Sequence, residues 1–382
     1  MEGLRIDAVD VHIVALPMVE PFVAAHGTVD RRTVVLVRVT GPDGEGWGEC
    51  GALPEPTYSA EWVDGAFPMV VDVLAPRLLA ASEVSASSSA MVFADIAGNP
   101  MAKAAIELAL LDLEGRRSGT ALARRLAPHP PGPGSTVPTG VALGLHPTPD
   151  ALADAVRVQL EAGHRRIKLK IAPGNDVDHV RAARDAAGPE IVLLADANGA
   201  YRWDVPIGDV LDARRLVGLD AFDLVAIEQP LPADDLLDSA ELARRLRTPI
   251  ALDESLTSPD RIVEALDLGA GSVLCVKAPM LGSWLAAASV LDRCAALGLD
   301  AYVGGMLDGG IARAASIALA AHPGATLAGD LSPTARFFTD DVCAPFVASQ
   351  GSIDVPDAGG LGITVLDDAI ARLGVRSTTV TR

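Results

Sequence analysis

Residues 166–198, RIKLKIAPGNDVDHVRAARDAAGPEIVLLADAN, read as a strand, a helix and a second strand in succession. Arg166–Ile171 is an apolar run interrupted by lysines at alternate positions, which is the period of a strand. Val177–Ala187 places its apolar residues at helical spacing, and Ile191–Ala195 is apolar again. A unit of this length joins parallel strands, because the helix supplies the crossover. The same rhythm continues on both sides. Further apolar runs occur at Val137–Leu143, Leu224–Ile227, Pro249–Leu252, Ser272–Val276, Ala301–Val303 and Ala325–Ala328. Amphipathic stretches lie between them at Thr148–Ala162, Asp234–Leu246 and Leu281–Leu297. Eight runs separated by helices predict an α/β fold with a parallel (β/α) barrel. A doubly wound sheet is the alternative, but no G-x-G-x-x-G opens a helix after a strand.

Upstream the pattern is α+β. Leu4–Leu16 and Thr33–Thr40 read as strands, and Gly46–Glu49 as a third after the turn at Pro42-Asp43-Gly44. From Tyr58 to about Leu126 the periodicity is helical, most strongly over Met101–Arg117. No regular element crosses His129-Pro-Pro-Gly-Pro-Gly-Ser135. The expected division is a domain over 1–130, a barrel over 136–345 and a tail over 346–382. Strand-like pieces at Ser352–Val355 and Gly362–Leu366 suggest that the tail returns to the first domain.

Composition narrows the function. The net charge of −19 over 382 residues argues against nucleic acid and anionic membrane as partners, since both need a basic face. Met1–Pro17 lacks an apolar signal core and no run reaches transmembrane length, so a cytoplasmic protein is expected. Cys50, Cys275, Cys294 and Cys343 form no C-x-x-C pair and read as reduced thiols, and the scattered histidines predict no zinc site. Of 31 basic residues only four are lysine, at Lys103, Lys168, Lys170 and Lys277. A chain that uses Arg for charge has little structural reason to keep Lys, whose pKa is the movable one.

In a barrel, chemistry sits at the C-terminal ends of the strands. Lys168 and Lys170 share one face of their strand, pointing inward, and two adjacent ammonium groups lower each other's pKa. Three successive strands end in carboxylates: Asp196 followed by Asn198, then Glu228, then Asp253 followed by Glu254. Converging acids repel unless a cation lies between them, and an all-oxygen set on rigid strands suits Mg2+. A structural Ca2+ or a salt-bridge cluster is the plainer alternative. Lys277 ends the next strand and would face the lysine pair across the barrel. Two bases flanking a metal-bound carboxylate suit abstraction of the proton beside it.

These motifs, K-x-K, D-x-N, E-Q-P, D-E-S and a final Lys in this order, resemble the muconate-lactonizing branch of the enolase superfamily. The stretches PFVAAHGT, GWGEC, VGGMLDGGIARAASIALAAHP, GDLSPTARFF and PFVASQGSI extend the likeness over nearly the whole chain, closest to o-succinylbenzoate synthases related to N-succinylamino acid racemases. The resemblance implies a (β/α)7β TIM-like barrel with an N-terminal α+β capping domain completed by the C-terminal segment. It implies Asp196, Glu228 and Asp253 as Mg2+ ligands, Mn2+ being a possible substitute, with Asn198 and Glu254 supporting them. Lys170 would be the acid/base, Lys168 its neighbour and Lys277 the group on the other face. Phe22, His26, Tyr58, Met280, Gly304, Gly305 and Met306 would contact a small carboxylate substrate, and a homo-oligomer is expected.

The implied reaction is dehydration of a cyclohexadiene carboxylate to o-succinylbenzoate, as in menaquinone synthesis. The alternatives are an N-acylamino acid racemase, a dipeptide epimerase or a cycloisomerase. More remote are a Schiff-base aldolase and a non-catalytic barrel protein. The chain departs from the pattern at Met280, where relatives usually carry Arg, and at Asp308-Gly309-Gly310, which replaces E-T-G. It also departs at His26, where an aromatic is common, and at Ala142, where some relatives have Ser.

Overall fold

The computed structural model describes residues 3–24, 27–129 and 132–382. Strands β1 (Ala8–Ala24), β2 (Gly27–Gly41) and β3 (Gly44–Cys50) form an antiparallel meander. Helix Pro100–Ser118 packs on this sheet and is buried on nearly every side from Met101 to Gly115. Gly46 and Gly48 on β3 make the close packing possible. A Cβ at Gly48 would lie 1.9 Å from the carbonyl oxygen of Ala105, and one at Gly46 would lie 2.1 Å from that of Ala109. The expected helical stretch before it divides into several pieces. Val63–Pro68 and Ala75–Ala80 flank a π-helical segment, Met69–Leu74, and Ala86–Val92 follows.

After β4 (Thr136–Pro138) the parallel sheet runs β5 (Val141–Leu143), β6 (Arg166–Lys170), β7 (Val192–Asp196), β8 (Ile227–Glu228), β9 (Ile250–Leu252), β10 (Val273–Val276) and β11 (Asp300–Val303), in that spatial order. The eighth run closes the ring without forming a regular strand. Leu327 and Asp330 donate their N–H groups to Ala301 and Val303, and Gly140 donates to the Gly329 carbonyl. The run Val137–Leu143 divides at Thr139–Gly140, because β4 turns away to pair with β13 (Ser352–Asp354), itself paired with β12 (Ala348–Ser349). The crossover before β8 contains a 3-10 helix, Ala213–Ala221.

The tail returns to the first sheet as β14 (Gly374–Thr381), which pairs antiparallel with β1. Gly362–Leu366 forms no strand. Gly360 and Gly362 adopt positive φ there, and Leu361 N–H bonds Asp112 on the long helix, so the chain turns where a strand was expected. The architecture is the TIM-like barrel with an N-terminal α+β capping layer. No helix among the described residues is long and apolar enough to cross a membrane.

Candidate active site

Strand register brings the polar residues to one end of the ring. Lys170 is level with Asp196 on β7, Asp196 with Glu228 on β8, and Asp253 lies one residue past the end of β9. β6 and β10 stand four strands apart in a ring closed by eight segments, so Lys170 and Lys277 face each other across it. All three lysines and all three acids are buried.

Lys170 donates to Asp196 (2.6 Å) and to the side-chain oxygen of Asn198, which in turn donates to Glu254 (2.8 Å). Lys168 is bound on three sides: Glu228 and Asp196 each lie 3.0 Å away, and Asp330 is a third partner. Burial alone would lower the pKa of Lys168, but Asp196, Asp330 and Glu228 outweigh it and hold the ammonium well above the usual lysine range. Repulsion between the two lysines is therefore not the dominant influence on Lys168. Lys277 donates to Asp253 (2.6 Å) and to the Tyr58 hydroxyl (2.7 Å), and its Nζ lies 4.9 Å from the centre of the Tyr58 ring. Burial lowers this ammonium too, but Asp253, Tyr58, Cys275 and Glu254 together outweigh it and hold it well above the usual lysine range.

The acids respond to the same crowding. Glu228 has no exposed surface, and burial together with Asp196 pushes its carboxyl up to about 8 despite Lys168. Burial and Asp253 push Glu254 up to about 7. Burial opposes ionisation of Asp196, yet Lys168 and Lys170 hold it well below the ordinary carboxylate range. Tyr302, on β11, donates to Glu228 at 2.5 Å, and Arg166 lies over the Tyr302 ring while pairing with Asp330.

A divalent cation fits these donors. Five carboxylates (Asp196, Glu228, Asp253, Glu254 and Asp330) crowd around Lys168, Lys170, Lys277 and Arg166, and one oxygen of Asp253 is buried without a hydrogen-bond partner. Glu228, Asp253 and Cys275 bring ligand atoms within 4.8 Å of one another. Of these, the carboxylates of Glu228 and Asp253 are the hard oxygen donors. Asp196 is turned toward the lysines.

The acids open into a cleft of about 710 Å3, counting the solvent at its mouth. Gly305, Met306, Tyr58 and Ala142 line it. Gly304 is buried against Lys277, where a Cβ would come 2.5 Å from Cε. Met280 is not a wall residue. Residues Ala278–Leu281 form a helical turn, which buries its side chain in the core. His26 and the Phe22 side chain lie outside the described residues. Sequence reasoning missed Asp330, Arg166, Tyr302 and Arg313. Asp330 carried a usable signal, since it stands two residues past the apolar run Ala325–Ala328, as the other acids stand at or just past theirs.

Comparison with known proteins agrees with this geometry. Residues 8–126 match the mandelate racemase/muconate lactonizing enzyme N-terminal domain, and residues 150–369 match the enolase C-terminal domain-like family. The chain is 41% identical over 367 residues to an N-succinylamino acid racemase of Amycolatopsis sp., covering 96% of this chain and 97% of the relative. It is 38% identical over 365 residues to an o-succinylbenzoate synthase of Geobacillus stearothermophilus, covering 95% and 94%. A solved enolase-superfamily member from Listeria innocua aligns with TM-score 0.92 at 30% identity over 99% of both chains. With both halves matched, the chain is an enzyme of the mandelate racemase/muconate lactonizing enzyme family of the enolase superfamily, whose members carry a divalent-metal site.

Proposed function

We propose that the chain abstracts the proton α to a substrate carboxylate and completes an o-succinylbenzoate synthase-type dehydration of a cyclohexadiene carboxylate. One observation carries this reading: Lys170 and Lys277 face each other across the barrel mouth, with Asp196, Glu228 and Asp253 at the strand ends between them. Asp196, Glu228 and Asp253 would hold Mg2+, or Mn2+ in its place, and the bound ion supplies positive charge to the substrate carboxylate. Lys170, as free amine, takes the α-proton. It then returns that proton to the departing hydroxyl, which leaves as water while the ring double bond forms. Lys277, as ammonium, faces the charge that develops on the carboxylate oxygens. Asn198 and Glu254 hold Lys170 in place. Residues 1–130 and 346–382 would cap the barrel of 136–345 and exclude water from the mouth. The same reading places the enzyme in the cytoplasm, as a homo-oligomer in menaquinone synthesis.

Racemisation of an N-acylamino acid is the second reading. Two lysines on opposite strands suit proton exchange on both faces of an α-carbon, and the racemase of Amycolatopsis sp. is 41% identical.

The test is a screen of the cyclohexadiene precursor beside N-succinylamino acids and dipeptides. o-Succinylbenzoate should form, EDTA should stop its formation, and Mg2+ or Mn2+ should restore it. Turnover that survives EDTA, or a borohydride-trapped adduct on a lysine, would contradict the proposal.

A further inference from the structure

Arg32, on β2, has no solvent exposure, and no carboxylate lies within ion-pair distance of it among the described residues. Its guanidinium instead donates to four main-chain carbonyls. Nη1 bonds Ala52 (2.5 Å) and Thr33 (3.0 Å), and Nη2 bonds Gly51 (3.0 Å). Nε bonds Leu307 at 3.2 Å. The first three carbonyls belong to the N-terminal sheet and the loop after it; the fourth belongs to the barrel. The hydrogen-bond acceptors of Arg32 are all neutral. Burial lowers its pKa although the Glu49 and Asp308 carboxylates favour its charge from farther away, so its retention calls for a reason.

The two tethered segments both line one cleft. Leu53 and Tyr58 line it from the first, and Gly305, Met306 and Leu307 from the second. They also touch. A Cβ on Gly51 would lie 3.2 Å from Pro279 and 3.8 Å from Met306. Leu307 adopts φ of +54°, a left-handed conformation unusual for a branched side chain, so the loop needs support from outside itself. That support comes from both layers. Asp308 accepts from Met306 N–H and pairs with Arg313, while Glu49 of β3 accepts from Gly309 N–H at 2.7 Å. The planar, multi-donor guanidinium can reach carbonyls on both walls at once, which a single ammonium cannot do.

We propose that Arg32 is a positioning residue that couples the 51–58 loop to the 304–309 loop, so that both walls set substrate selection as one unit. It touches no reacting atom, and its effect falls on how the distal part of the substrate is held. The kinetic arm of the test rests on the function proposed above; the exchange arm does not.

In the kinetic arm, Arg32→Met is compared with Arg32→Lys on two substrates that share the reacting carbon and differ in the distal acyl group. The expected result is a KM for the preferred substrate raised about tenfold and selectivity reduced by a similar factor, with kcat within about threefold. Arg32→Lys should fall between Arg32→Met and the parent. A drop in kcat with unchanged selectivity would overturn the proposal, and so would no change at all. If neither substrate is turned over, the proposed function fails and the exchange arm still decides the role of Arg32.

That arm follows amide hydrogen exchange in the unmodified, ligand-free chain at low denaturant. Segments 51–58 and 304–309 should open with one shared free energy, and in Arg32→Met both should lose protection together. Independent opening in the unmodified chain would overturn the coupling even if the variant fails to fold.

Discussion

At the barrel mouth, Asp196, Asp253 and Asp330 face ammonium or guanidinium groups. Where the N-terminal layer meets the barrel and its own long helix, the equally buried Glu49, Glu61 and Glu107 face helix N-termini instead. Glu49 accepts from Gly309 and Ala312 at the start of Gly310–Ala320, and Glu61 from Met101 and Ala102 at the start of Pro100–Ser118. Glu107 accepts from Trp284 and Leu285 at the start of Trp284–Leu297. Gly309 and Asn99 make no side-chain cap of their own, so distant carboxylates take the place of local caps for two of these helices. The contrast separates two uses of a buried acid. Acids that accept from backbone N–H groups hold helices and layers together, whereas the mouth acids are paired with side-chain ammonium and guanidinium groups.

Substitutions in the two groups should therefore fail differently. The largest effect belongs to the mouth: Glu228→Gln should lower kcat/KM by about a thousandfold or more with little loss of thermal stability. Parallel loss of activity and melting temperature would erase the contrast. At the junction, Glu107→Ala leaves backbone N–H groups without a partner and should cost about 2–3 kcal/mol in denaturant unfolding, with kcat nearly unchanged in the folded protein.

The pH dependence sharpens the same distinction. Burial, with Asp308 and Asp341 adding to it, pushes Glu49 up to about 7 from 4.5. Between those values the folded chain holds a proton that the unfolded chain has released. Glu49 therefore makes stability fall as pH rises through that window, with a slope approaching about 1.4 kcal/mol per pH unit. Glu49→Gln should remove that part of the slope. Asp330 works in the opposite sense: burial opposes its ionisation, but Arg166 and Lys168 hold it well below the ordinary range. Its contribution is present above the unfolded pKa and is lost only as pH falls through the lower folded value. The smallest effect should come from Ser283→Ala, which removes the bond from Ala286 N–H and the one its hydroxyl donates to Glu107, but leaves Glu107 on the Trp284 and Leu285 N–H groups, and should cost about 1 kcal/mol.

Much of the mouth was legible because each polar residue interrupts an apolar strand at its end. The alternation Lys168-Leu169-Lys170 fixes a shared inward face, and the ends at Asp196, Glu228, Asp253 and Lys277 place the rest. Three features escaped for physical reasons. The closing segment lacks regular pairing, so Asp330 sits beyond what reads as a strand. Met280 turns into the core because the chain coils immediately after Lys277. The contact of Tyr58 with Lys277 joins residues far apart in sequence, and no local pattern encodes it. The carboxylate caps at the junction escaped similarly, since their partners lie on other elements.

In the function proposed above, Lys170 and Lys277 act together on the proton beside a substrate carboxylate. The most direct measurement is turnover of the cyclohexadiene precursor by Lys170→Ala and Lys277→Ala, each with Mg2+ present and its fold verified by circular dichroism. Both variants should lose about a thousandfold or more in kcat while remaining folded. Parent-like turnover in either folded variant would contradict the account.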